Sequence, residues 1–391
     1  MKNKILILGA GVYQLPLINR CKERGYEVHV ASIKGNYPGI NAADFFHEIN
    51  ILDAEKIINL AKKKNYIGVL TCGTDICMPT IGQVNDTLKL SGVNYNSALA
   101  STDKILMKKT LRKNKIPSPE FKIIKEINQA YEFFNKIGKS CIIKPTNSSG
   151  SRGVSKVTNI YDIVASFISA KKYSEEVIIE EWLEGMEFGA QVIVKKDSDL
   201  LVMIHSDELI QSPTPIPVGH GAPHPRINEI SKDTINIIKQ VITAFNLDSC
   251  IVNVDMIWHQ NSPQIIELGA RMGATCLPEV CGSWWGINLY DIAIDLAIGK
   301  DIVNLPEEPK GESTFAHLLW SEKDGIVHDI PDISDEFTYN LDIDKGDEVF
   351  RFASGNKRLG DILKSGRSIE KITREVTNEA KEFNKKLGVK K

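Results

Sequence analysis

With 391 residues, 42% hydrophobic and 25% charged, the chain has material for roughly two or three domains. Its formal net charge is -2 with both signs interspersed, so there is no basic footprint for nucleic acid and no polybasic anchor for a membrane surface. No apolar run approaches the length that spans a bilayer. The seven cysteines (Cys21, Cys72, Cys77, Cys141, Cys250, Cys276 and Cys281) are odd in number and include no CxxC, and MKNKILILGAG leads into a strand-and-turn pattern rather than a signal peptide. A reduced, cytoplasmic protein with buried thiols is expected, since the spacings Cys72 to Cys77 and Cys276 to Cys281 are unlike zinc ligand pairs.

Along the chain, KILILG reads as a strand, a helix follows through Asn19 and Arg24, and EVHVAS is a second strand. DAEKIINLAKKK is an amphipathic helix capped by Asp53, and IGVLTCG is a third strand ending in a Gly-Thr-Asp turn. Strands separated by helices imply a parallel sheet with helices on its faces, an α/β unit. SALASTDKILMKKTLRKNKIPSP reads as a cationic helix and a Pro-punctuated linker. SCIIKP and GVSKV flank a polar, glycine-containing loop, and a helix around Tyr161 to Lys172 and the strand VIIEEWL complete a small α+β unit. Beyond it come the antiparallel candidates QVIVKK and LLVMIHS, a long loop rich in Pro, Gly and His, one helix, and the strand pair IVNVDMIWH and PQIIELG. The last eighty residues or so start with the strand-like STFAHLLW and end in a charged helix.

Gly9-Ala10-Gly11 after the first strand approaches a dinucleotide fingerprint, but Gln14 stands where the third glycine belongs and the second strand ends in Ala31-Ser32 without an acid for a ribose. A tight turn is the better reading, with the helix N-terminus free to hold an anionic substrate. No P-loop and no GxSxG elbow occurs. His220 and His224 are four apart, yet Pro223 and Pro225 exclude a helical metal-ligand pair, and both are read as loop residues near a substrate.

Phosphates call for cationic side chains and backbone donors in a flexible loop, and magnesium for oxygen ligands beside them. Lys144 closes CIIKP, and Arg152 follows in the serine- and glycine-rich TNSSGSRG, a loop suited to closing over a triphosphate; an ordinary hydrophilic hairpin loop is the alternative for that stretch alone. Asp255 and Glu267 lie on the two strands IVNVDMIWH and PQIIELG, and pairing of those strands as a hairpin would bring both carboxylates to one face for a metal. Arg271, four residues past Glu267, would project beside them toward a transferring phosphoryl group or a substrate carboxylate.

Taken in order, these features resemble the ATP-grasp superfamily, and within it the carboxylate–amine ligase group that includes L-amino acid ligases and biotin carboxylase. STDKILMKKTL resembles the helix that carries an ATP-binding lysine, here Lys104, and CIIKP places the second at Lys144. NSSGSRGV resembles the loop over the phosphates, with Ser148, Ser149, Gly150, Ser151 and Gly153 as ATP contacts. VIIEEWLEGMEF resembles the hinge, which implies that Glu180, Glu181 and Leu183 meet the adenine and Glu187 the ribose. NVDM and IELGAR resemble the magnesium pair Asp255 and Glu267 followed by Arg271. The family often has Asn two residues after the metal glutamate, where this chain has Gly269; either a second magnesium loses a ligand or Asn253 supplies one.

The resemblance covers nearly the whole chain and implies a pre-ATP-grasp domain over 1–97, a two-lobed ATP-grasp domain over 98–310 (small lobe about 115–188, large lobe 189–310) and a small α+β C-terminal domain over 311–391. It implies ATP and magnesium, with manganese as a substitute, a small-molecule carboxylate and amine as substrates, and a homodimer as one option. The implied reaction is amide formation through an acyl phosphate, with Lys144 and Arg271 catalytic and release of ADP and phosphate. Part of the acceptor pocket is expected in LIQSPTPIPVGHGAPHPRI, with His220 and Arg226 as contacts and Met272 to Thr275, Gly273 among them, shaping it. Trp284 and Trp285 are read as core rather than stacking residues. The competing readings are a bicarbonate-using N-carboxylase and a non-catalytic ATP sensor.

Overall fold

Four parallel strands form the N-terminal sheet in the order Phe45–Glu48, Glu27–Ser32, Lys4–Leu8, Gly68–Leu70. The fold was obtained as a computed structural model that describes residues 2–146, 153–196, 199–211 and 215–390. Lys4–Leu8 lies in the middle of the sheet and is buried from Ile5 onward, which is why KILIL is nearly continuous in apolar residues rather than alternating. Helix Ala54–Lys64 covers the sheet, its Asp53 cap accepting from the Lys56 amide at 3.2 Å.

A second sheet, antiparallel, runs Phe121–Ile124, Val177–Glu181, Cys141–Pro145, Ser155–Val157 and is backed by the helices Ile127–Ile137 and Ile163–Lys171. The largest sheet has eight strands: Ser262–Gly269, Cys250–His259, Met186–Val194, Leu200–Gln211, Pro215–Ala222, Ser313–Trp320, Arg358–Gly366 and Thr338–Leu341. Strands from the last eighty residues thus continue the sheet that carries Asp255. A three-stranded sheet, Glu348–Val349, Gly325–Asp329 and Gly388–Lys390, accompanies the closing helix Ile369–Lys386, whose Ile369, Ile372, Val376, Ala380 and Phe383 form its buried face.

LLVMIHS begins the strand Leu200–Gln211 as expected, but the stretch expected as a long Pro/Gly/His loop contributes the end of that strand and its hairpin partner Pro215–Ala222. Pro217 is tolerated because only Gly219–Ala222 pairs on the other side of its strand, so the missing N–H faces no partner there. Gly219 and Gly221 answer a packing demand: a Cβ on either would come within 2.7 Å of the Phe315 ring. Among the described residues all seven cysteines are free thiols, buried except for the half-buried Cys276. No helix among the described residues is long and apolar enough to cross a membrane.

Candidate functional site

A cavity of about 350 Å³ lies between the four-stranded antiparallel sheet and the Cys250–Gly269 hairpin. Helix Lys104–Lys113 supplies one wall. Asp103 caps it, accepting from the amides of Ile105 and Leu106 at 2.8 Å, and this fixes the register that turns Lys104 and Lys108 inward one turn apart. Lys104 Nζ donates to Glu267 Oε1 at 2.7 Å. Lys108, which sequence reasoning passed over, is 1% exposed with Nζ 2.9 Å from Glu180 Oε2, a charge contact without hydrogen-bond alignment. Its signal was available: it sits on the apolar face with Met107 and Leu111, where a lysine needs a partner.

Lys144 and Glu180 come from neighbouring antiparallel strands. Glu180 is opposite Ile142, and Lys144 two residues on shares that face, so the ammonium donates diagonally to Glu180 Oε1. One buried carboxylate therefore serves two lysines. Burial opposes its ionisation, but Lys108 and Lys144 override that and hold Glu180 down at about 2. Burial in turn pushes the Lys108 ammonium below its ordinary value against the pull of Glu180. Glu181 binds Lys139 and accepts from the Glu120 amide at 3.3 Å, while Leu183 is a buried part of the cavity wall. Glu187 also lines the cavity; burial, with Asp207 and Asp255 nearby, pushes its carboxyl up to about 7.

Asp255 and Glu267 are directly opposed in the hairpin, and its turn Gln260-Asn261 has both residues at positive φ (47° and 62°), the geometry of a two-residue hairpin connection. The register slips between Asp255 and Met256, leaving Ile266 as the extra residue of a bulge beside Glu267. Burial, Asp207 and Glu267 push Asp255 up to about 6, whereas Lys104 holds Glu267 low against the cost of burial. Two adjacent carboxylates, one of them short of positive charge, are a donor set that fits a divalent cation. Asn253 stands in a directed chain. The Gly273 amide donates to Gln191 Oε1 (2.8 Å), Gln191 Nε2 to Asn253 Oδ1 (2.5 Å), and Asn253 Nδ2 to Asp255 Oδ1 (2.9 Å). The Asn253 carbonyl oxygen is thereby engaged by Gln191. Gly273 has no room for a side chain, since a Cβ would lie 2.9 Å from both Asn253 Oδ1 and Gln191 Nε2.

Arg271 lines the same cavity and reaches back to the N-terminal turn: its Nη2 donates to Asp75 Oδ2 at 2.6 Å and its Nη1 to the Met272 carbonyl at 3.0 Å. Asp75 was missed, although it follows the C-terminal end of a parallel strand, where open α/β sheets place their crevices. Gly269 abuts Asp75, whose Oδ1 would lie 2.2 Å from a Cβ there. Ser148, Ser149, Gly150, Ser151 and Arg152 lie outside the described residues; Gly153 has φ +75°, and a Cβ there would meet the Tyr173 ring at 2.7 Å. Arg226 is on the surface, paired with Glu229 at 2.7 Å and outside the cavity lining. His220 is buried on the Pro215–Ala222 strand rather than in a loop, and His224 is buried too. Trp285 is buried and Trp284 half-buried against the same core.

The glycine turn near the N-terminus is filled by its own chain. Gln14 Oε1 accepts from the Gly11 amide at 2.8 Å and its Nε2 donates to the Cys72 carbonyl, so the position a pyrophosphate would take holds a side-chain amide.

Residues 101–275 match the family model described as the ATP-grasp domain. A relative, an uncharacterized protein y4rH of Sinorhizobium fredii, is 22% identical over 68% of this chain, and the match spans 56% of its own length. Among solved structures, phosphoribosylglycinamide synthetase from Anaerococcus prevotii superposes with a TM-score of 0.80 at 28% identity, covering 96% of this chain and 98% of that one. An L-amino acid ligase from Bacillus licheniformis reaches a TM-score of 0.81 at 15% identity, covering 97% and 98%, a likeness of fold.

Proposed function

Residues 101–275 match the ATP-grasp domain, and from that premise we propose that the chain is an ADP-forming ligase that activates a carboxylate with ATP and joins it to an amine. One observation carries the reading: Lys104, Lys144, Asp255, Glu267 and Arg271, brought from three separate segments, line one cavity. That combination pairs cations for phosphates with carboxylates for a metal, a requirement of phosphoryl transfer.

In this reading Lys104 and Lys144 bind the phosphates of ATP, and Glu180, Glu181, Leu183 and Glu187 border the nucleoside end of the cleft. Asp255 and Glu267 hold magnesium, which when bound supplies positive charge at the transferring phosphoryl group. Lys144 is oriented by Glu180 and Lys104 by Glu267, so both ammonium groups are placed before the nucleotide arrives. Arg271 is held near the reacting carboxylate by Asp75 and can follow the charge that develops on it. Attack of the carboxylate on the γ-phosphorus gives an acyl phosphate, and displacement of phosphate by the amine gives the amide. The L-amino acid ligase fold neighbour supports an amino acid as one substrate.

The test is phosphate release from Mg-ATP by the purified protein across the twenty proteinogenic L-amino acids, other carboxylates and bicarbonate, with mass spectrometry of the products. Release that requires a carboxylate and an amine, with a new amide mass, is expected. Release that requires bicarbonate and no other acid would replace the ligase with a carboxylase. Tight ATP binding without stimulated turnover would leave a nucleotide sensor.

A further inference from the structure

A second cavity, of about 420 Å³, opens where three distant segments meet: the N-terminal turn at Tyr13, the stretch Gly273 to Glu279, and Asp342 with Arg358 and Asp361 near the C-terminus. Arg271 lines the nucleotide cleft, and Gly273, two residues on, lines this second cavity. Thr275 is four steps along the chain from Arg271, a span of at most roughly 14 Å.

The charges around this cavity are unbalanced. Arg358 is neutralised by Asp361 (2.8 Å) and Asp342 (2.7 Å). That leaves Glu279, whose Oε1 accepts from Tyr290 at 2.6 Å and whose Oε2 has no hydrogen-bond partner among the described residues. Burial pushes the Glu279 carboxyl above its ordinary range, and Asp361 adds to this against the pull of the Tyr290 hydroxyl and of Arg358, so three carboxylates face one guanidinium in this lining. The chemistry favours a ligand that brings a positive charge.

Thr275 lines the cavity with φ +52°, and Cys276 follows at +62°; a β-branched residue in this region is strained and persists only where its surroundings hold it. Its Oγ1 is 2.7 Å from His220 Nε2, and His220 Nδ1 is 2.7 Å from Asp207 Oδ1. Asp207 also receives His205 Nδ1 at 3.0 Å, and the two imidazoles hold it ionised well below the usual carboxylate range although burial opposes this. An ionised Asp207 makes Nδ1 of His220 a donor, which leaves Nε2 as the acceptor of the Thr275 hydroxyl proton. The Thr275 oxygen then keeps its lone pairs for the cavity. Both imidazoles of the His205–Asp207–His220 cluster aim Nδ1 at one carboxylate oxygen, while His205 Nε2 is buried without a hydrogen-bond partner among the described residues.

We propose that this second cavity binds the amine co-substrate as its ammonium ion, and that Thr275, His220 and Asp207 form a relay that removes one proton from it. The inference rests on the ligase reading above. The ammonium proton passes to Thr275 Oγ1 as the Thr275 hydroxyl proton passes to His220 Nε2, and Asp207 stabilises the imidazolium. The neutral amine attacks the acyl carbon: the C–N bond forms, the C–O bond to phosphate breaks with its electron pair, and the second proton leaves on hydrogen phosphate. His220 returns its proton to solvent. An acyl phosphate and an ammonium ion thus give an amide, hydrogen phosphate and one proton. Thr275 is the residue that touches the amine; His220 and Asp207 position it and accept through it.

Hydroxylamine separates the steps, since it is largely unprotonated at neutral pH and captures an acyl phosphate without a base. Wild type, His220→Gln, Thr275→Val and Thr275→Ser are given Mg-ATP and the twenty proteinogenic L-amino acids, with and without hydroxylamine, and dipeptides and hydroxamates are measured. The expected result is a dipeptide-to-hydroxamate ratio about 100-fold or more below wild type in His220→Gln and Thr275→Val, and near wild type in Thr275→Ser. An unchanged ratio in the first two, whether activity is kept or lost in both products alike, overturns the relay while leaving the ligase intact. Hydroxamate without dipeptide from wild type overturns an amino acid as the amine. No hydroxamate from wild type removes amino acid activation itself, and the relay with it.

Discussion

Lys108 and Glu180 form a charge pair at 2.9 Å at the wall of the cleft, with side chains 1% and 6% exposed, so neither charge has much water to fall back on. Removing one partner of such a pair leaves an uncompensated buried charge. Glu180→Ala should therefore destabilise the protein by about 3–5 kcal/mol in urea unfolding, and adding Lys108→Met should recover part of that loss. A cost below about 1 kcal/mol would show that the pair is compensated elsewhere.

The same carboxylate sets a pH dependence. Glu180 titrates at about 2 in the folded protein, below the unfolded value of roughly 4.3, so its stabilisation is complete above that unfolded value and is lost as pH falls toward 2. The stability gap between wild type and Glu180→Gln should be widest near pH 6 and close steadily below about pH 4. Urea midpoints across this range provide the check, and a gap that stays constant to pH 2 contradicts the assignment.

Arg271 and Asp75 join the segment after the Glu267 strand to the N-terminal turn through a 2.6 Å contact. A double-mutant cycle with Asp75→Asn and Arg271→Lys should give a coupling of roughly 1–3 kcal/mol in unfolding free energy. Additive effects would mean that the contact contributes no net stability.

Gln191 touches neither Asp255 nor Glu267 in the hydrogen-bond chain, yet it orients Asn253, which donates to Asp255. With ADP present, Gln191→Met should weaken Mn²⁺ binding roughly 10–100-fold, read by electron paramagnetic resonance of the free ion. Unaltered affinity would uncouple this amide chain from the metal pair.

Gln14 fills its own glycine turn by bridging Gly11 and Cys72. Gln14→Ala should lower stability by about 1–3 kcal/mol through the orphaned Gly11 amide and Cys72 carbonyl. NADH fluorescence should show no binding to wild type; saturable binding would restore the dinucleotide reading.

Local pattern determined much of this. The near-continuous apolar run of Lys4–Leu8, the Asp53 cap and the short turn between Asp255 and Glu267 are decided within a few residues, so the parallel sheet, that helix start and the hairpin were legible in the sequence, whereas the stretch from Ser97 read as one helix is two, Tyr95–Ala100 and Lys104–Lys113. The ATP-grasp resemblance likewise rested on short motifs in order, and the match over 101–275 agrees with it. The start of the strand Leu200–Gln211 was legible as LLVMIHS, but its partner Pro215–Ala222 was not, because the prolines and glycines there read locally as loop. They are admitted by an unpaired strand side and by Phe315, about a hundred residues away.

Only the tertiary structure decided which charges meet. Lys108 pairs with Glu180, Arg271 with Asp75, and His220 with Asp207 and Thr275, across separations no periodicity encodes. Secondary structure answers to neighbours along the chain, while a buried charge answers to whatever partner packing brings within about 3 Å.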